Sequence, residues 1–144
     1  MLKVLLLFFT LFSSLFALDG KVVKVADGDT ITILTDSKEQ VKIRLFGIDA
    51  PERKQAFGQK SKDFWQSLLL VKEWKLKKSD INEQMVLNGY AWAYKQYSKD
   101  YIQQERIAKA KKLGFWQEPN PIEPSIFRKH HTKTKELENL KERK

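Results

Sequence analysis

The 144-residue chain contains no cysteine. That absence excludes a disulfide-stapled scaffold, a cysteine-ligated zinc site, a thiol nucleophile and a lipid anchor on cysteine. Glycine and proline are scarce as well, at six and four residues, which excludes collagen-like and low-complexity designs. Beyond residue 17 no apolar run approaches the roughly 20 residues that a spanning helix needs. Apolar residues are not scarce: 42% of the chain is hydrophobic and 12% aromatic, too much for a disordered chain and suited to one core. Two full domains would be tight in this length.

Positive charge is plentiful. Lys and Arg number 27 against 18 Asp and Glu, a net charge of +9. Such an excess favours polyanions, whether nucleic acid, anionic lipid or an acidic polymer; the plain alternative is a soluble surface that is merely basic.

Residues 1–17 read MLKVLLLFFTLFSSLFA, with Lys3 as the one charge, an apolar middle and the small residues Ser13, Ser14 and Ala17. This is the pattern of an export signal cleaved after Ala17, with an uncleaved anchor as the alternative. Val4–Ala17 is too short to span a bilayer stably. The expected mature chain is Leu18–Lys144, outside the cytoplasm, periplasmic or secreted.

The β-branched runs Lys21–Val25 and Thr30–Leu34 flank Ala26-Asp27-Gly28-Asp29, a hairpin signal. After a second polar turn, Val41–Leu45 alternates apolar and basic residues as a half-buried strand does. Gln59–Val71 has Phe64, Trp65, Leu68 and Leu69 at helical spacing, and Lys72–Lys77 alternates as a short strand. Asp80 and Glu83 have the spacing of a capping box for a second helix ending at Gly89. Ser98 can cap a third helix running to about Lys112, with Gly114 as its stop. Pro119, Pro121 and Pro124 then mark the end of the domain. Residues 119–144 carry seven Lys or Arg and four Glu, and are expected to form a mobile basic tail or a loosely held helix. Adjacent His130 and His131 lie in this tail and read as solvated residues, since no carboxylate pattern completes a metal site. A small meander followed by helices predicts an α+β fold with the sheet curled into a small barrel.

The chemistry-bearing residues concentrate in one stretch. Asp27, Asp29 and Thr30 lie at the first hairpin; Arg44, Asp49 and Glu52 lie on and after the third strand. Pairing of the second and third strands gathers them at one rim. Carboxylates with a backbone carbonyl and waters suit a hard cation, a guanidinium holds phosphate bidentately, and a further carboxylate can deprotonate water. Together these are the parts of a phosphodiester hydrolase. Each part alone also has a bland reading, as a turn, a solvated strand residue or a loop.

In order, the segments VVKVADGDTITI, VKIRLFGIDAPE, INEQMVLNGYAWAY and KKLGFW resemble the staphylococcal nuclease (thermonuclease) family over roughly Lys21 to Trp116. The resemblance implies a five-stranded OB-type β-barrel with three helices, and cleavage of DNA and RNA with Ca²⁺. It implies Asp29 and Asp49 as metal ligands, with Ala50 at the position whose carbonyl completes the site. It implies Arg44 as the phosphate clamp and Glu52 as the base that activates water. Asp27 and Thr30 then stand close behind the ligands. Lys75, Lys77, Lys78, Tyr94 and Tyr97 are candidate nucleic-acid contacts, the tyrosines by stacking on bases, with core packing as the plainer use of the aromatic stretch.

The resemblance also has a gap. Such nucleases carry a stretch like Asp-Arg-Tyr-Gly-Arg between the first two helices, whose final arginine is the second catalytic one. Here Lys72–Lys78 is followed at once by Ser79-Asp80, so roughly twenty residues, a turn and one to two strands, are missing. An incomplete barrel is expected. Three functional expectations follow: an exported, monomeric, Ca²⁺-dependent nuclease with an impaired site; a non-catalytic nucleic-acid-binding or interaction module on a degenerate nuclease fold; or an internally deleted copy that folds poorly. The domain itself is expected over 18–118.

Overall fold

The two β-branched runs around Asp27-Gly28-Asp29 each become a strand. In the computed structural model, which describes residues 20–70 and 78–142, β1 is Gly20–Val25, β2 is Thr30–Thr35 and β3 is Gln40–Arg44. They form an antiparallel meander in the order β1-β2-β3. The β2–β3 register sets Thr30 opposite Arg44 and Ile31 opposite Ile43. Strand alternation turns Ile31 and Ile33 into the core. The β1–β2 ladder is irregular between Val22 and Lys24, which bends the strand and strengthens its twist.

A two-residue strand, β4 (Ile48–Asp49), leaves the meander and pairs antiparallel with β5 (Trp92–Ala93). Between them run α1 (Gly58–Leu70) and α2 (Lys78–Leu87). Trp65 of α1 and Met85 and Val86 of α2 are fully buried and share one core with Val25, Ile31, Ile33 and Ile48. Then come α3 (Ile102–Ala110), a 3-10 turn at Gly114–Gln117, and α4 (Pro124–Glu142). Gly89 takes the positive φ of 69° that stops α2; α3 ends instead at Lys111 and the left-handed Lys112 (φ 50°), and Gly114, the expected stop, opens the 3-10 turn that follows.

The structure departs from the sequence reading at four points. There are four helices among the described residues, not three, because 124–142 is helical. Pro124 opens that helix and is buried, a use of proline at a helix start that also reads as a domain terminator from sequence. Second, the described strands form a three-stranded and a two-stranded sheet, without the closed five-stranded barrel that the resemblance implies. Third, α2 begins at Lys78, so Asp80 lies inside the helix rather than at its cap. Fourth, α3 begins at Ile102 with no side-chain cap; the Ser98 hydroxyl instead accepts the Asp100 amide at 3.0 Å. The expected strand at 72–77 and the export signal lie outside the described residues. No helix among the described residues is long and apolar enough to cross a membrane.

Candidate active site

Asp29 ends the first hairpin and enters β2 almost completely buried. Its backbone amide donates to Asp27 Oδ1 at 3.2 Å, the local closure that aspartate gives a turn. Gly28 is packed so closely on Ser61 of α1 and on Ala50 that a Cβ would overlap both. The hairpin is therefore pressed against α1, and the Asp29 carboxylate turns inward. Its Oδ1 accepts the Thr30 hydroxyl at 3.0 Å and Arg44 Nη1 at 2.9 Å. Its Oδ2 accepts the Ala50 amide at 2.7 Å.

Arg44 reaches Asp29 because it closes β3 opposite Thr30. Its other terminal nitrogen, Nη2, donates to Asp49 Oδ1 at 2.7 Å. Asp49 is held in place by the β4–β5 pair, opposite Trp92. One guanidinium thus bridges two buried carboxylates that lie 20 positions apart in the chain. Glu52 follows Pro51, and its amide donates to Gln55 Oε1 at 3.1 Å.

A second guanidinium completes the cluster. Arg128, in the second turn of α4, donates from Nη2 to Asp49 Oδ2 at 2.9 Å and from Nη1 to Asp49 Oδ1 at 3.0 Å. The same Nη1 donates to Glu52 Oε1 at 2.7 Å. The Asp29 and Asp49 side chains are 3% exposed, whereas Arg44 is 47%, Arg128 36% and Glu52 33%. The aspartates form the floor of the site and the other three groups its mouth. Burial pushes the Asp29 carboxyl up to about 7, with Asp27 adding to the rise, against the lowering effects of the Ala50 amide, Arg44 and Thr30. Hydrogen bonding to Asp49 raises Arg128 above the ordinary guanidinium value, burial opposes this, and the bond to Glu52 adds to the rise. Arg128 is a permanent cation here.

An open cavity of about 440 Å³ lies beside the mouth, lined by Arg44, Gly47, Glu52, Tyr94, Tyr97 and Arg128 among others. The Tyr94 and Tyr97 rings meet edge-on with centroids 4.7 Å apart. Lys75 and Lys77 lie outside the described residues, and Lys78 is described only as the first residue of α2.

The donor chemistry fits a hard divalent cation. Two buried carboxylates converge and every candidate ligand atom is oxygen, although all four carboxylate oxygens here accept hydrogen bonds, three of them from guanidinium groups that a cation would have to displace. Among the described residues no cluster of three or more His, Cys, Asp or Glu forms a cage. Further oxygens would come from backbone carbonyl, water and phosphate, as such cations accept.

Arg128 is the residue that sequence reasoning missed. Its signal was faint: Pro124 at a helix start, with the apolar Phe127 just before a basic residue. Phe127 lines a cavity of about 230 Å³ with Pro51, Phe57, Phe115 and Pro121, and Gln55 Nε2 donates to the Ile122 carbonyl at 2.6 Å. Those contacts seat the start of α4 on the domain.

Comparison with known proteins points to one family. The family described as staphylococcal nuclease homologue matches residues 42–80 and 70–118. A Haemophilus influenzae protein named as an uncharacterized endonuclease is 45% identical over 128 residues, covering 76% of this chain and 72% of its own length. An Escherichia coli protein of the same description is 36% identical over 129 residues, covering 76% of this chain and 84% of its own length. The micrococcal nuclease of Shigella flexneri is 31% identical over 140 residues, covering 76% of this chain and 80% of its own length.

Proposed function

This chain belongs to the staphylococcal nuclease homologue family, and from that premise we propose that it is an exported, monomeric, Ca²⁺-dependent nuclease that hydrolyses phosphodiester bonds in DNA or RNA. The observation that supports the reading is the convergence of Asp29, Arg44 and Asp49 through direct hydrogen bonds at one rim, with Glu52 joined to Asp49 through Arg128. Asp29, Asp49 and the Ala50 carbonyl would hold the cation, with Thr30 fixing the Asp29 carboxylate and Asp27 its backbone amide. When bound, the cation neutralises phosphate charge and polarises a phosphoryl oxygen.

The chain's own residues do the rest. Glu52 stands at the mouth, partly exposed, where it can take a proton from an attacking water. Arg44 lies half-exposed at the same cleft, and the donors it does not spend on Asp29 and Asp49 can hold phosphate oxygens. Tyr94 and Tyr97 line the cleft, where their rings can stack on a neighbouring base. The motif region supplies one guanidinium. An enzyme relying on it alone is expected to be slow, since loss of an arginine that stabilises phosphoryl-transfer charge costs roughly 10³–10⁵ in rate.

Cleavage of single-stranded DNA and of RNA by the purified protein, with Ca²⁺ and with chelator, tests this reading. We expect cleavage that the chelator stops and that Glu52→Gln abolishes while binding persists. Binding without metal-dependent cleavage at high protein concentration overturns it in favour of a non-catalytic nucleic-acid-binding module. The engagement of both Asp49 and Glu52 by Arg128 is the observation that favours that second reading.

A further inference from the structure

Asp49 Oδ1 accepts two guanidinium groups, Arg44 Nη2 at 2.7 Å and Arg128 Nη1 at 3.0 Å. The two forks therefore approach one point from different elements, β3 and α4. Both arginines border the same open cleft, together with Glu52 and Tyr94. An arginine carries five N–H donors. Among the described residues, three of those on Arg128 and two of those on Arg44 are engaged by side chains of the cluster. Donors remain on both for an oxyanion arriving between them.

The position of Arg128 is built, not incidental. Pro124 is buried where α4 begins. Phe127 is half-buried and lines an apolar cavity with Pro51 and Phe115, and the Ile122 carbonyl is held by Gln55. Gln55 Oε1 also holds the Glu52 amide, so one side chain ties the entry to α4 to the loop that carries Glu52. A solvated salt bridge needs none of this anchoring.

We propose, resting on the nuclease reading above, that Arg128 is the second phosphate-holding guanidinium of this site, delivered by the helix that follows the domain. It takes the place for which the 70–80 region, lacking its expected arginine segment, offers no guanidinium. In the free protein Arg128 rests on Asp49 and Glu52. When a phosphodiester enters the cleft, Arg128 turns to its non-bridging oxygens and releases Glu52. The water oxygen then bonds to phosphorus and the bond from phosphorus to the leaving oxygen breaks. Glu52 takes the water proton, and the leaving oxygen takes one from solvent. Arg128 exchanges no proton; it meets the growing charge with two hydrogen bonds and a fixed positive charge.

The test uses Arg128→Ala and Arg128→Lys in the full chain, with thermal unfolding to confirm that each folds. Two readouts are taken in Ca²⁺: calorimetric binding of a nucleoside bisphosphate, which cannot be cleaved internally, and kcat and KM on single-stranded DNA. We expect bisphosphate affinity to fall about 10- to 100-fold in Arg128→Ala, as loss of charge-assisted hydrogen bonds implies. We expect kcat to fall about 10²–10³-fold. Lysine keeps the charge without the fork and should recover only part of either loss. Unchanged bisphosphate affinity overturns the proposal and makes Arg128 a tether for α4. Tighter binding or faster cleavage also overturns it and makes Arg128 a plug. The two readings fail separately. A wild-type protein that binds bisphosphate through Arg128 but cleaves nothing loses the hydrolytic reading and keeps the phosphate assignment. A wild-type protein that cleaves, with Arg128→Ala binding and cleaving equally well, loses the assignment and keeps the hydrolytic reading. A wild-type protein that neither binds nor cleaves overturns both.

Discussion

Glu105 is the buried charge on which the geometry of the site depends at one remove. It is 2% exposed on α3, and its Oε2 accepts the Ala93 amide at 2.9 Å. Its Oε1 accepts Lys95 Nζ at 2.8 Å and Lys109 Nζ at 2.6 Å. Ala93 belongs to β5, which holds β4 and hence Asp49. Glu105→Ala leaves a buried amide without its partner, at a cost of about 1–3 kcal/mol. The two ion pairs add less than fully buried ones do, because Lys95 and Lys109 are 50% and 42% exposed; about 0.5–1 kcal/mol each is reasonable. The total loss is about 2–5 kcal/mol. Glu105→Gln keeps an acceptor for Ala93 and should lose about 1–2 kcal/mol. Burial works to raise the Glu105 pKa, but hydrogen bonds from Lys109 and Lys95, the Lys109 charge and the Ala93 amide outweigh it and hold it below the ordinary 4.5. A carboxyl depressed on folding stabilises fully above its unfolded value, and the gain is lost as pH falls through the folded value. The gap between wild type and Glu105→Gln should therefore be full at neutral pH, narrow once pH drops below about 4.5, and close in stronger acid. Urea unfolding midpoints across pH measure this, with a constant slope showing that stability alone has changed. A Glu105→Ala loss below about 0.5 kcal/mol, or a gap to Glu105→Gln that widens in acid, refutes the reasoning.

Gly28→Ala drives a methyl group into Ser61 and Ala50 and disturbs the Ser61 hydroxyl bond to the Tyr90 carbonyl; a loss of about 1–3 kcal/mol is expected in thermal or urea unfolding. Asp49→Asn should raise the Ca²⁺ concentration needed for half-maximal cleavage, because an amide oxygen is a poorer ligand than a carboxylate; an unchanged requirement removes Asp49 from the cation site. Tyr94→Ala should weaken single-stranded DNA binding by about 1–3 kcal/mol with little change in stability, given the place of Tyr94 at the cleft; titration by fluorescence anisotropy decides it. Exported protein should begin at Leu18, and N-terminal sequencing that finds Met1 retained counts against processing.

Much of the candidate site was legible because its residues sit on local signals. Asp-Gly between β-branched runs makes the hairpin that presents Asp29. Alternation in 41–45 puts Ile43 on the core side and Arg44 at the edge. Pro51 ends the ladder and leaves Glu52 on a loop. The helix α1 followed from apolar spacing, and Trp65 is buried as that spacing predicts, whereas Leu69 is 45% exposed. The start of α2 was misread because Asp80 and Glu83 have capping-box spacing, yet the helix runs two residues further towards the N-terminus.

The sequence by itself determined the meander, two core helices and the acidic floor of the site, because hydrophobic period and turn chemistry act over a few residues. Only the tertiary structure decided that one guanidinium bridges Asp29 and Asp49, since that depends on the β2–β3 register and on the β4–β5 pair. It alone also decided the role of the Pro-led segment. Three prolines and a basic run carry the same local signal whether the chain departs or returns. Arg128 meets Asp49 across 79 positions. What brings it there is the burial of Pro124 and the partial burial of Phe127 on surfaces built from distant parts of the chain, a packing energy that no local pattern contains.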